Sequence, residues 1–441
     1  MTSRAGEAAA AWEEWSQTRA LLTVAGDLPA MSGPLTDLAV SVKDVYPVAG
    51  MPTRAGSLAV DARAASCDTP VVAALRRLGA SIVAKSNCSE FGIGITVTDT
   101  RLGGRVVHPF DPAWLPGGSS GGDAVAVASG VVDLAVASDY GGSVRWPAQA
   151  LGICGLRTTP QKLSRAGRVP PLSRLGDEAA SLQDQLEAVS FLARRPGTLL
   201  RVLPLLGLGP TGDGSRLGSA GLRRVAVSTA AEIAPVDSDV TAALQSAMAA
   251  AESAGFGLVD PGPLFGGAAP AYAFLRGALD RMDALRELVR GREDLLCGAT
   301  LSALDQAERA RCAGPAELTE ARSAATSIAA AVERMLEDVD AIVIPVAPVA
   351  GTTNPRGAQV GSTWVDQTGL MAFCRAVSLL GLPSFSLPVE VGANGRPVSV
   401  QILCRPGDDY HCCWLADILA RTLALPGPEL LPWSAGSTGR A

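Results

Sequence analysis

The chain has 441 residues, of which 48% are hydrophobic, enough to bury a large core. Net charge is −6 and no Lys/Arg run is long enough for a nucleic-acid footprint, so that class of partner is excluded. Nine cysteines are scattered from Cys67 to Cys413 without a C-x-x-C pair, which reads as buried free thiols in a reducing compartment rather than a disulfide framework.

The first segment, "MTSRAGEAAAAWEEWSQTRALL", has no basic start and no apolar stretch, and Glu13 and Glu14 interrupt it. It does not read as a signal peptide; residues 1–25 are expected to form a peripheral helical arm. No apolar run reaches the ~18 to 20 residues of a membrane span, so a soluble, cytoplasmic protein with no membrane partner is expected. "TDLAVSVKDV" (36–45) alternates like a strand running into a loop. In "DTPVVAALRRLGASIVAKSN", Thr69 can cap, Pro70 suits the first helical position and Gly79 ends the helix; "SIVAK" is then a strand. Residues 122–129 are expected to be helical. "VVDLAVASD" (131–139) is a buried strand that stops at "YGGSVRWPA". Residues 160–220 are irregular, with a helix expected near 178–194. "RRVAVST" (223–229) is a strand, 237–254 an amphipathic helix and 270–338 mainly helical. "DAIVIPVAP" (340–348) is a strand, "NPRGAQVGSTW" (354–364) a loop, and "RPVSVQILC" (396–404) the last strand, before a helix at about 408–423. This alternation of strand and helix predicts an α/β fold.

Lys and Arg together number 37, but only three are lysines: Lys43, Lys85 and Lys162. Arginine does not lose its proton in a protein, whereas a desolvated lysine does. Any position that needs a deprotonatable amine is therefore one of three.

Two serine clusters could carry acyl-transfer chemistry, which needs a nucleophile, a base and backbone donors for the oxyanion. Gly118-Ser119-Ser120-Gly121-Gly122 fits G-x-S-x-G, which would make Ser120 a nucleophile with His411 downstream. That elbow should follow a strand directly, and here a loop precedes it. His411 falls within a helical pattern, and His108 lies before the serines in a loop. Neither histidine stands in a context that would activate Cys88, Cys154 or Cys374. With histidine set aside, a lysine base is the natural alternative. In "SDYGGSVR", Ser143 follows a glycine pair just past a buried strand, where freed backbone can aim successive N–H groups at one point.

The blocks "SVKDVYPVAGMPTRAGS", "PGGSSGGDAVAVASG", "SDYGGSVRWPAQALGICGLRTTP" and "LGLPSFSLPVEVGANGRPVSVQILCRPGDD" occur in this order. Together they closely resemble the amidase signature family, densely over 36–160 and 337–423 and more thinly between. The resemblance implies one large domain over 1–441 with a mixed, mainly parallel central sheet covered by helices on both faces. Residues 160–336 would be a variable region that, with the loop near 350–366, builds the substrate pocket. It also implies a triad of Lys43, Ser119 and Ser143, with a cis peptide bond before Ser119. A neutral Lys43 would take a proton from Ser119, which takes one from Ser143. Backbone N–H groups of Tyr140, Gly141, Gly142 and Ser143 would receive the oxyanion. No cofactor or metal is implied. The expected partner is a small-molecule amide, and a homodimer is left open. Ser120 is expected to hydrogen-bond within its loop, Asp139 and Arg145 to form a structural pair, Lys85 to be scaffold and Lys162 to be exposed. Tyr140 departs from the small residue usual at its position, which puts the acyl pocket in question. The expected activity is amide hydrolysis; alternatives are acyl transfer to an amine and an amidotransferase component working with a partner.

Overall fold

The computed structural model describes residues 4–25, 32–171, 184–210, 223–279, 282–309 and 314–424. Short runs rich in Val, Ile, Ala and Leu form the strands, as their fit to a pleated buried surface requires. In chain order these are β1 (Leu21–Val24), β2 (Ala39–Lys43), β3 (Ser81–Ser86), β4 (Asp99–Thr100), β5 (Gly104–Arg105), β6 (Leu134–Asp139), β7 (Cys154–Arg157) and β8 (Ala188–Ala193). They continue with β9 (Arg224–Val227), β10 (Gly257–Val259), β11 (Ala341–Pro345), β12 (Gly357–Val360), β13 (Thr363–Asp366), β14 (Ser384–Val391) and β15 (Pro397–Leu403). Two short pairs stand apart, β4 with β5 and β12 with β13; the remaining eleven form one sheet, ordered β1-β3-β2-β6-β8-β7-β14-β15-β11-β9-β10.

The sheet is mixed, as expected, but its parallel pairing is confined to two blocks, β3-β2-β6 and β11-β9-β10. Every other neighbouring pair is antiparallel. Parallel pairing needs a crossover connection. Here β14 returns directly into β15 through the turn at Asn394 and Gly395, and β8 slots antiparallel between β6 and β7.

Alternation along each strand feeds two faces. Val40, Val42, Leu134, Val136 and Val343 pack with the helices Pro70–Arg77, Pro196–Leu205, Ser238–Ser253 and Asp409–Leu423. Their neighbours Ala39, Ala135 and Ala137 face the helices Gly121–Ala128 and Arg145–Leu151. Ile342 and Ile344 meet Ala268–Leu279, Pro315–Asp338 and Ala372–Leu379. Both faces are therefore covered by helices.

Three expectations are corrected. Of the helix expected at 178–194, residues 178–183 lie outside the described residues, and Ala188–Ala193 is strand β8. A six-residue apolar run does not distinguish buried helix from buried strand by periodicity; pairing on both edges, with β6 and β7, decides it. The 354–364 loop contains a hairpin, β12–β13, turning where Gly361 has φ +55°. The N-terminal arm is helical over Arg4–Trp15, with Ala8 packed in the core beside Val83, but Leu21–Val24 join the sheet edge as β1.

Candidate active site

Because β2 and β6 are parallel neighbours, their C-terminal ends lie at one edge of the sheet, where open α/β sheets characteristically bind ligands. Lys43 is the last residue of β2 and Asp139 the last of β6. Lys43 is fully buried. Its Nζ donates to Ser119 Oγ at 2.7 Å, Ser138 Oγ at 3.1 Å and Ser138 O at 3.3 Å. Burial pulls its pKa below the usual lysine value, against the opposing pull of Cys88, Asp123 and Glu187. Two neutral hydroxyls and a carbonyl surround the amine, and none of its three hydrogen bonds is to a carboxylate.

The Gly118–Ser119 bond is cis. Ser119 O accepts from Ser89 N at 3.0 Å and Thr98 Oγ1 at 3.4 Å, which fixes the loop from outside the site. The helix Gly121–Ala128 then starts against the end of β3. A Cβ on Gly122 would lie 2.3 Å from Asn87 O and 2.4 Å from Ala20 O, so only glycine lets this turn sit so close.

The turn after β6 is organised by one carboxylate. Asp139 accepts from Gly142 N (2.8 Å), Val144 N (3.1 Å), Arg145 N (3.3 Å), Arg145 Nε (3.1 Å) and Arg145 Nη2 (2.8 Å). Arg157 Nη1 donates to Asp139 O at 2.6 Å. Although burial opposes it, Arg145 and Arg157 hold the Asp139 carboxyl well below the usual carboxylate range. The expected structural pair is therefore present, and it is the brace of the turn that presents Ser143. Gly142, at φ +119°, adopts a backbone conformation open to glycine.

Ser120 N donates to Ser143 O at 3.2 Å, tying the two serine loops together. Lys43 and Ser119 are thus joined side chain to side chain, and Ser143 is joined to this pair through backbone. Among the described residues no hydrogen bond links the Ser119 and Ser143 hydroxyls. Of the expected oxyanion donors Tyr140, Gly141, Gly142 and Ser143, one N–H is already bonded within the turn. Gly142 N–H is committed to Asp139, whereas the N–H groups of Gly141 and Ser143 have no acceptor among the described residues.

The Amidase family model matches residues 8–413. This chain belongs to the amidase family. As a member it is an enzyme acting on amide C–N bonds. It is 32% identical over 431 residues to a glutamyl-tRNA(Gln) amidotransferase component from Nitratidesulfovibrio vulgaris, covering 90% of this chain and 85% of that one. A protein of the same name from Methanospirillum hungatei is 38% identical over 177 residues, 40% of this chain and 41% of that protein. In fold it is similar to a bacterial aryl acylamidase of the amidase signature family, at a TM-score of 0.78 and 18% identity, covering 100% of this chain and 96% of that one.

In this amidase-family chain, Tyr140, Gly141 and Ser143 open onto a cavity of 460 Å³. Much of its remaining lining comes from residues 160–336, including Arg168, Glu187, Tyr272 and Arg276, and Phe91–Ile95 form a further wall. The 350–366 loop does not line it; Gln367, Thr368 and Arg375 do. Tyr140 lies under the Arg276 guanidinium at 5.4 Å.

The remaining candidates fall into place. Ser120 Oγ is buried and has no hydrogen-bond partner among the described residues, so the bond expected of its side chain is not formed; its backbone makes the contacts instead. His108 Nδ1 accepts from Phe110 N and Asp111 N, its Nε2 faces Ala150 O at 3.2 Å, and burial lowers its pKa to about 4. His411 sits in the last helix, stacked on Trp414 at 5.2 Å. Lys85 bonds Thr53 Oγ1 at 2.8 Å and pairs with Asp44 at 3.1 Å, and Lys162 is exposed. Eight cysteines are free thiols, and Cys312 lies outside the described residues. Burial raises the Cys88 and Cys154 thiols and puts Cys374 at about 12, the opposite of activation. Sequence reasoning missed Ser138, Tyr272 and Arg375. Ser138 was visible as the residue before Asp139 on the site edge; the other two are brought in by helices with no motif.

Proposed function

We propose that the chain hydrolyses a carboxylic amide through an acyl-enzyme on Ser143. Neutral Lys43 accepts the Ser119 proton as Ser119 takes the proton of Ser143, whose Oγ attacks the carbonyl carbon. The N–H groups of Gly141 and Ser143 receive the oxyanion. Collapse breaks the C–N bond, and Ser119 returns a proton to the leaving amine. Water then attacks the ester, releasing the acid and restoring Ser143. The observation that carries this reading is the 2.7 Å bond between Ser119 Oγ and a buried amine bonded to no carboxylate. The second link, Ser143 to Ser119, is expected to form when substrate fills the site, as catalytic hydrogen bonds often tighten in the complex. Ser143→Ala is expected to lower kcat by roughly 10⁴-fold or more, read as amine release over a panel of aliphatic, aryl and peptide amides. Retained turnover would overturn the assignment.

A second reading is an amidotransferase component, favoured by the names of the relatives above. Its acyl-enzyme would be the same, with ammonia passed to a partner. Ammonia release by the chain alone from a simple amide supports hydrolysis; release only in the presence of a partner chain supports the second reading.

A further inference from the structure

We propose that the substrate of this site carries a carboxylate, held by Arg375; this rests on the amidase reading and names its substrate class. Arg375 is 9% exposed and lines the same cavity as Ser143. Its only side-chain hydrogen bond among the described residues is Nη1 to Thr368 O at 3.3 Å, and no carboxylate there lies within 4 Å of it. Its guanidinium stands over the Tyr272 ring at 5.7 Å, which offsets part of the cost of burying the charge. Its stem packs on the nucleophile turn. A Cβ on Gly141 would lie 3.5 Å from Arg375 Cγ, and the Tyr272 hydroxyl is nearer still, at 2.4 Å.

Among the described residues, the surrounding charges leave that guanidinium without an anion within ion-pair distance. Arg276 and Arg168 share the cavity and add positive charge. Among the described residues the one carboxylate in the lining, Glu187, bonds Arg168 Nε at 2.7 Å and lies 3.6 Å from Arg165. Asp139, behind the turn, is taken up by Arg145. Asp366 attracts Arg375 only from beyond ion-pair distance. A planar, five-donor cation buried in the wall of this cavity is suited to a carboxylate, which it can bind through two parallel hydrogen bonds. The carboxylate could belong to the acyl part of the amide or to its amine part; the chemistry at Arg375 is the same.

The test compares adipamic acid with its methyl ester, and N-hexanoylglycine with its methyl ester, in wild type, R375M and R375K. The first pair places the charge on the acyl side, the second on the amine side. In wild type the charged member of one pair should be favoured about 10- to 100-fold in kcat/KM. R375M should bring that ratio close to one, mainly through KM, and R375K should restore part of it. Equal or better use of both esters by wild type, or an unchanged ratio in R375M, would overturn the inference. Covalent labelling of Ser143 by a fluorophosphonate separates the two readings: label with no charge preference sinks only the substrate class, whereas no label and no turnover sinks the amidase reading. Calorimetric binding of adipamate to wild type against R375M reads the pocket in that last case too, and equal affinity there would contradict the role of Arg375.

Discussion

At the scale of residues, the proposed mechanism depends on keeping the Lys43 amine uncharged. Lys43 is the end of a strand, sealed from water, and its three bonds go to two hydroxyls and one carbonyl. Lys43→Ala is expected to lower kcat by orders of magnitude, and Lys43→Arg not to restore it, because arginine keeps its proton. The same burial sets the pH profile. As pH rises through the depressed Lys43 value the amine loses its proton, so kcat/KM should rise with pH and reach its plateau below the range of an ordinary lysine, which titrates near ~10.4. A profile that still climbs at that value would mean the base is an ordinary exposed amine. Gly141 gives a separate test. An added methyl would meet the Tyr272 hydroxyl at 2.4 Å, so Gly141→Ala should displace the turn and cost activity far more than stability. Unfolding midpoints and kcat measured together would show whether it does.

At the scale of elements, two braces hold the serine loops. Asp139 gathers three backbone N–H groups and the Arg145 guanidinium at the foot of the Ser143 turn. Asp139→Ala leaves two buried arginines short of their anion, and a loss of about 3–5 kcal/mol is expected by chemical denaturation. Its carboxyl titrates lower folded than unfolded, so this contribution is full above the unfolded value and fades as the solution is acidified through the folded one. The wild type and the variant should therefore converge at low pH. Asp123, near the start of the helix Gly121–Ala128, behaves oppositely. Both its carboxyl oxygens are buried, and burial lifts its pKa to about 7 despite the opposing pull of Lys43, the Ser86 hydroxyl and Lys85. Folding then favours the protonated acid, so stability falls as pH rises from the unfolded value, about 3.9, to about 7. Asp123→Asn should flatten that fall, giving a variant whose melting temperature gains on wild type between pH 5 and pH 8.

At the scale of the whole molecule, what could be read in advance was what local chemistry dictates. Pro70 opening a helix, Gly79 ending it, and the β2 and β6 strands each follow from a few neighbouring residues; Thr69 sits at the N-cap position, but its hydroxyl does not cap. Composition reduced a deprotonatable amine to three lysines and glycines framed a serine pair, but only the resemblance to the amidase signature family singled out Lys43 and Ser119 among them. What stayed hidden depends on long-range pairing. AVSFLA becomes β8 only because β6 and β7 flank it, and the β12–β13 hairpin hides in a Gly- and Pro-rich stretch. The commitment of Gly142 N–H to Asp139 and the delivery of Arg375 and Tyr272 from two separate helices likewise need the folded chain. At this scale the hydrolytic reading also makes a prediction. The chain alone, after size-exclusion chromatography, should release amine from a simple amide, and added hydroxylamine should divert part of the acyl group to hydroxamate without changing the rate of acyl-enzyme formation.

The central claim is that Ser143 is the nucleophile and that Lys43 activates it through Ser119. It is tested most directly by mapping a fluorophosphonate adduct by peptide mass spectrometry in wild type, Ser143→Ala, Ser119→Ala and Lys43→Ala. The account predicts one adduct, on Ser143, absent in Ser143→Ala and formed far more slowly in the other two. An adduct on Ser120, or labelling of Ser143 at the wild-type rate once Lys43 is gone, would contradict it.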